Sequence, residues 1–160
     1  MKFMNFIDFG KISLDIEGSS HEQIHLVETE LGFKIPLALK EYLLVMGEKT
    51  NFYEYWDEHG TKELVKLKLW IYEWIDKYRS EGIGLSELKT ILPFFNFQDT
   101  FFYVPIEEGN ENPPVYAFDI NDTPTIRKLN DSFTDFVLER YNKILKNPDR
   151  SDLHNPNLSV

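Results

Sequence analysis

The stretch EGSSHEQIHLVETELGFKIPLALKEYLL, residues 17–44, decides how this chain is read. Taken one way it contains HEQIH, residues 21–25, a formal HExxH pattern. Two histidines one helical turn apart hold zinc in that pattern, while the intervening glutamate polarises a water. Taken the other way the stretch is a helix, a glycine stop, a proline restart and a second helix. Ser20 followed by Gln23 makes a capping-box pattern, Ile24, Val27 and Leu31 follow at helical spacing, and Gly32 supplies a C-terminal stop. Pro36 suits the first turn of the next helix, along which Leu39, Leu43 and Met46 share one side until Gly47 ends it.

Three features weigh against a zinc site. His21 lies one residue beyond the N-cap, in a frayable first turn that holds a ligand poorly. On a helical wheel, Glu22 and His25 turn away from the core stripe toward solvent. Glu28 stands where an extended HExxHxxGxxH motif needs glycine, and no third histidine follows nearby, although a downstream glutamate remains available as a ligand. The expectation is a pair of surface histidines, with no catalytic residue, metal or cofactor. A zinc metallopeptidase acting through HEQIH is the remote alternative.

A chain of 160 residues with 42% hydrophobic content fits one domain with an ordinary core. Its 27 acidic against 17 basic side chains give a net charge of -10, which argues against phosphate-mediated nucleic-acid binding and favours a basic partner. The absence of cysteine excludes disulfides, thiolate metal sites and a cysteine nucleophile. In MKFMNFIDFGK, Asn5 and Asp8 interrupt the apolar residues, and no run approaches the ~20 apolar residues of a membrane helix, so a cytoplasmic location is expected. There is no P-loop and no G-x-S-x-G elbow. Adjacent acids such as Glu107 and Glu108 make a poor acid/base couple, because neighbours in a strand face opposite sides.

In the middle of the chain Val65, Leu67, Leu69 and Ile71 alternate like a strand, while Leu64, Leu67, Trp70, Trp74 and Tyr78 keep helical spacing. The expectation is a short strand followed by a helix over roughly residues 70–80. Three antiparallel strands are expected from LPFFNF, TFFYVPI and PVYAFD, separated by Gln98-Asp99 and by the loop EEGNENP. Asp131 and Ser132 can cap a closing helix with a stripe of Phe133, Phe136, Val137, Tyr141 and Ile144. This order reads as an α+β domain over residues 1–146. The tail NPDRSDLHNPNLSV, residues 147–160, has little to bury and is expected to be flexible.

These blocks together resemble the SMI1/KNR4 domains of the SUKH superfamily. The first half matches an E-G-x-S lead-in, I-x-x-x-E-x-x-L-G, I/L-P and K-x-[YF]-L at Glu17, Gly18, Ser20, Ile24, Glu28, Leu31, Gly32, Ile35, Pro36, Lys40, Tyr42 and Leu43. The second half matches P-V-[YF]-x-[FW]-D at Pro114, Val115, Tyr116, Phe118 and Asp119, then S-F-x-[DE]-F at Ser132, Phe133, Asp135 and Phe136. Leu37-Ala38-Leu39 departs from the polar lead-in expected after Pro36, and Gly47 alone represents a glycine-rich turn. The resemblance implies a single domain with a central, mainly antiparallel sheet flanked by helices and no catalytic residues. It also implies one of two roles: an immunity protein that binds and neutralises a toxin, commonly a nuclease, or a regulatory scaffold in cell-wall assembly and growth control.

Charge suggests where a partner would bind. Between Lys89 and Arg127 there is no Lys or Arg, while Asp99, Glu107, Glu108, Glu111, Asp119 and Asp122 all fall there. The expectation is that the loops carrying these acids converge on one rim whose field attracts a basic toxin domain. The partner-binding residues selected on this basis are Asp99, Glu107, Glu108 and Glu111, with Tyr103 and Tyr116 as aromatic anchors. A second candidate surface is NFYEYWDEH, residues 51–59, where Tyr53, Tyr55 and Trp56 alternate with acids.

Overall fold

Ser20 opens the first helix as its spacing predicts. A computed structural model describes residues 1–8, 16–50, 58–85, 88 and 90–146 of the chain. In it the Gln23 N–H donates to Ser20 Oγ (3.1 Å) and the Ser20 N–H donates to Gln23 Oε1 (2.7 Å), so α1, His21–Leu31, starts with a complete capping box. Gly32 ends it with φ 79°, the left-handed conformation that costs glycine least, and its N–H donates to the Glu28 carbonyl. Pro36 sits one position earlier than expected, at the N-cap of α2, Leu37–Met46. Ala38, Leu39, Tyr42, Leu43 and Met46 are buried there.

The strand expected over residues 65–71 is replaced by helix. After a 3-10 turn, Thr61–Glu63, the chain runs as one 17-residue helix, α3, Leu64–Ser80. Helical spacing gathers Leu64, Leu67, Ile71, Ile75 and Tyr78 on one buried face. A strand would have placed Leu69 beside Leu67 and Ile71, and Leu69 is instead 63% exposed.

The sheet is an antiparallel meander of five strands: β1, Glu58–His59; β2, Ile91–Phe97; β3, Thr100–Pro105; β4, Val115–Asp119; and β5, Thr125–Asn130. The three expected strands are β2 to β4, and the two edges are additions. The register shifts between Pro93 and Phe95, and this bulge lets Phe94 and Phe95 both enter the core that holds Leu92.

Alternation along the strands feeds two cores. Leu92, Phe94, Phe102, Val104 and Val115 pack with residues of α1, α2 and the closing helix α4, Phe133–Lys146. Ile91, Phe101, Tyr103 and Phe118 pack with Leu67, Ile71, Ile75 and Tyr78 of α3 on the other side. The predicted stripe of α4 is buried at all five positions, and Asp135 donates its N–H to Ser132 Oγ (3.0 Å) at the start. Phe133 meets Phe94 and Tyr42 edge-on, with centroids 5.1 and 5.7 Å away. The result is a three-layer α+β domain. Residues 51–57 of the aromatic-acid stretch and the tail 147–160 lie outside the described residues.

Candidate functional site

Buried carboxylates are the first places to look for chemistry, and here they hold the backbone. Glu28, 5% exposed, accepts the Ile35 N–H (3.0 Å) through Oε1, to which Lys40 Nζ also lies 2.5 Å away, and accepts Lys34 Nζ (3.0 Å) through Oε2. Burial pushes its pKa up, but these partners outweigh burial and hold the carboxyl below the usual glutamate range. Glu41, 6% exposed, accepts the N–H groups of Lys2 (2.6 Å), Phe3 (2.7 Å) and Met4 (3.0 Å), and the same competition leaves its pKa lowered. Both groups are occupied with tying loops and the N-terminal segment to α2. Gly18 explains the lead-in to this motif, since a Cβ there would collide with the Leu44 carbonyl oxygen.

The HEQIH histidines occupy exposed positions on α1, while Glu28, one turn further on, faces inward to its lysines. Among the described residues no three His, Cys, Asp or Glu side chains are placed to hold a metal ion.

The acidic residues selected from the sequence do not converge on one rim. Successive turns of a meander fall at alternate ends of the sheet, so the β2–β3 turn with Asp99 and the β3–β4 loop with Glu107, Glu108 and Glu111 are separated by the length of β3. Six residues of strand span about 20 Å. Two of the acids are also neutralised locally. Glu111 pairs with Lys2 (2.5 Å), and Asp119 receives Thr100 Oγ1 (2.7 Å), Thr125 Oγ1 (3.0 Å) and Arg127 Nε (3.0 Å). Burial raises the Asp119 pKa, but Arg127 and the two hydroxyls more than reverse this and hold the carboxyl low.

Topology does assemble a smaller acidic end that the sequence grouping missed. The Ile120 N–H donates to the Asp99 carbonyl (2.7 Å), which joins the β2–β3 turn to the β4–β5 loop. Tyr78 Oη donates to the Asn121 carbonyl (2.8 Å), which joins that loop to the C-terminal turn of α3 and so to Glu81. Glu81, Asp99 and Asp122 are exposed and have no cationic partner among the described residues. Burial raises the Tyr78 pKa, and the nearby carboxylates of Glu81, Asp122 and Asp99 add to that rise. Nothing in the sequence spacing linked residue 81 to residues 99 and 122; only the meander with α3 across it does so.

The aromatic pair divides as well. Tyr103 and Tyr116 are register partners on β3 and β4 and stack at 5.5 Å with 16° between ring planes. Tyr103 is 3% exposed and belongs to the α3-side core, so it offers no free surface to a partner. Tyr116 is half-buried and keeps one side accessible.

Among curated proteins no sequence matches this chain. A family model described as SMI1-KNR4 cell-wall matches residues 21–137, which takes in both helices of the opening motif, the whole sheet and the start of α4. The SMI1/KNR4 domains of the SUKH superfamily are generally non-catalytic interaction or immunity-type modules. No helix among the described residues is long and apolar enough to cross a membrane. With the motif residues placed as helix caps, carboxylate ties and core, and with the model spanning most of the fold, the chain belongs to the SMI1/KNR4 (SUKH) family.

Proposed function

We propose that this chain is an immunity protein that binds a basic, nuclease-type toxin domain in the cytoplasm and neutralises it by stoichiometric occlusion. The observation that carries this reading is the acidic end formed by Glu81, Asp99 and Asp122, whose charges are not offset among the described residues, unlike those of Asp119 and Glu111. Unpaired carboxylates on a chain of net charge -10 give a field that steers a cationic protein and is screened by salt. A nuclease cleft built to receive phosphates is such a surface. Co-expression with the toxin-like product of an adjacent gene tests the reading: growth is rescued and a 1:1 complex is recovered if it holds. Unimpeded toxicity, with no heat of binding by calorimetry, would remove it. A regulatory scaffold is the second reading, favoured by the cell-wall description of the matching family.

A further inference from the structure

β5 differs from every other long strand of the sheet. Thr125, Ile126, Arg127 and Lys128 are all exposed, and among the described residues the strand is hydrogen-bonded on one side only, to β4. Alternate residues of such an edge direct their N–H and C=O groups outward, a template for another extended segment. Natural edges are commonly protected by charge. Here both cations of the edge are already paired, Arg127 with Asp119 at 3.0 Å and Lys128 with Asp131 at 2.6 Å, so the strand presents little net repulsion to a cationic approach.

Its surroundings are acidic and apolar. Asp122 lies in the loop that feeds β5, and Asp99 lies two strands away, about 10 Å at the ordinary strand spacing and within roughly one Debye length. On the α3 side, Ile126 is 38% exposed opposite Phe118, and half-buried Tyr116 stands opposite Lys128. This gives an apolar step beside the edge for one side chain of an added strand.

We propose that β5 is a docking edge: an extended, basic segment of a protein partner pairs with it as a sixth strand, resting an apolar side chain against Ile126 and Tyr116 and directing its cationic end toward Asp99, Asp122 and Glu81. The proposal rests on the protein-binding reading above and names the surface and backbone conformation that it uses.

The test uses the full 160-residue chain, labelled with 15N, titrated with a capped eight-residue peptide of alternating lysine and valine. Three controls accompany it: a glutamate-valine counterpart, the lysine peptide N-methylated along one edge, and sedimentation of the protein alone. The expected result is amide shifts concentrated in residues 120–130, at least tenfold weaker binding of the acidic peptide, and loss of the shifts on N-methylation, which removes the pairing donors but leaves charge and side chains. Shifts centred on residues 107–111, equal binding of the N-methylated peptide, no shifts at millimolar peptide, or a dimer sealed through β5 would each overturn the proposal. None of those outcomes touches toxin rescue, so failure of the docking edge and failure of the immunity reading are separable.

Discussion

Lys40 Nζ lies 2.5 Å from Glu28 Oε1, so the first turn of α2 is tied to the last turn of α1 through a carboxylate that is almost wholly buried. The same oxygen accepts the buried Ile35 N–H, which places the loop between the helices in the same tie. Replacing Glu28 with Ala strands that N–H and is expected to cost about 1–3 kcal/mol. Glu28→Gln keeps an acceptor for Ile35 and loses only partly solvated ion pairs, so a smaller loss of about 1 kcal/mol is expected. Urea denaturation of the two variants measures the difference, and equal losses would show that the Ile35 hydrogen bond is unimportant.

The pH dependence of stability follows from the same groups. Glu28, Glu41 and Asp119 all have folded pKa values held below their unfolded ones. Their contribution is therefore complete above the unfolded values, about 3.9–4.3, and is lost as pH falls through the lower folded values. Stability is expected to be level from about pH 7 to pH 5 and to fall steeply below about pH 4. Thermal melts across this range should show a shallower acid limb in Glu41→Gln, because a neutral amide cannot respond to the proton.

Gly18 is the tightest backbone contact among the motif residues, because a Cβ would overlap the Leu44 carbonyl. Backbone must move to admit it, and Gly18→Ala is expected to destabilise by about 3 kcal/mol. Gly32→Ala meets no atom within 4 Å but imposes φ 79° on alanine. A loss of about 1 kcal/mol is expected there. Chemical denaturation ranks the two; a larger effect at Gly32 would mean that strain outweighs the collision.

Legibility tracked how much of an element's identity was local. The cap of α1, the stop at Gly32, strands β2 to β4 and the stripe of α4 each have signals within a few residues. The C-terminal part of α3 agrees with the helix expected over residues 70–80, but its start reads equally as a strand because Val65, Leu67, Leu69 and Ile71 satisfy both periods, and only the company of Ile75 and Tyr78 in one buried face decides for helix. β5 gives no signal in the sequence because TIRKLN is an edge strand whose first four residues are exposed, so it lacks the apolar alternation that marks inner strands. The acidic site was half legible: the charge excess is a property of composition, but the ends of the sheet to which each loop belongs are a property of topology.

Tyr103 and Tyr116 should separate packing from contact. Tyr103→Ala empties a site in the α3-side core and is expected to cost about 3–5 kcal/mol. Tyr116→Ala removes a half-exposed ring and one stacked pair, about 1 kcal/mol. Measured on folded material, only the Tyr116 change should speed partner dissociation directly. If Tyr103→Leu, which keeps the core filled, weakens binding as much as Tyr116→Ala, the division between buried and contacting tyrosine is wrong.

The two acidic ends of the sheet make opposite predictions for association kinetics. Neutralising Glu81, Asp99 and Asp122 to amides removes three exposed carboxylates at the end where β5 begins, and few hydrogen bonds go with them. Steering by such a cluster acts on the encounter rate, so the on-rate for a basic partner is expected to fall about tenfold at low salt and to converge with wild type near 0.5 M salt. Neutralising Glu107, Glu108 and Glu111 removes the same charge at the far end, about 20 Å along β3, where screening in ordinary buffer is nearly complete. A change of less than threefold is expected there, together with a small loss of stability from the broken Lys2 pair. Stopped-flow or surface-plasmon measurements at three salt concentrations distinguish the cases, and equal slopes for the two triple variants would mean that net charge alone, not the end formed by α3 and the two loops, draws the partner in.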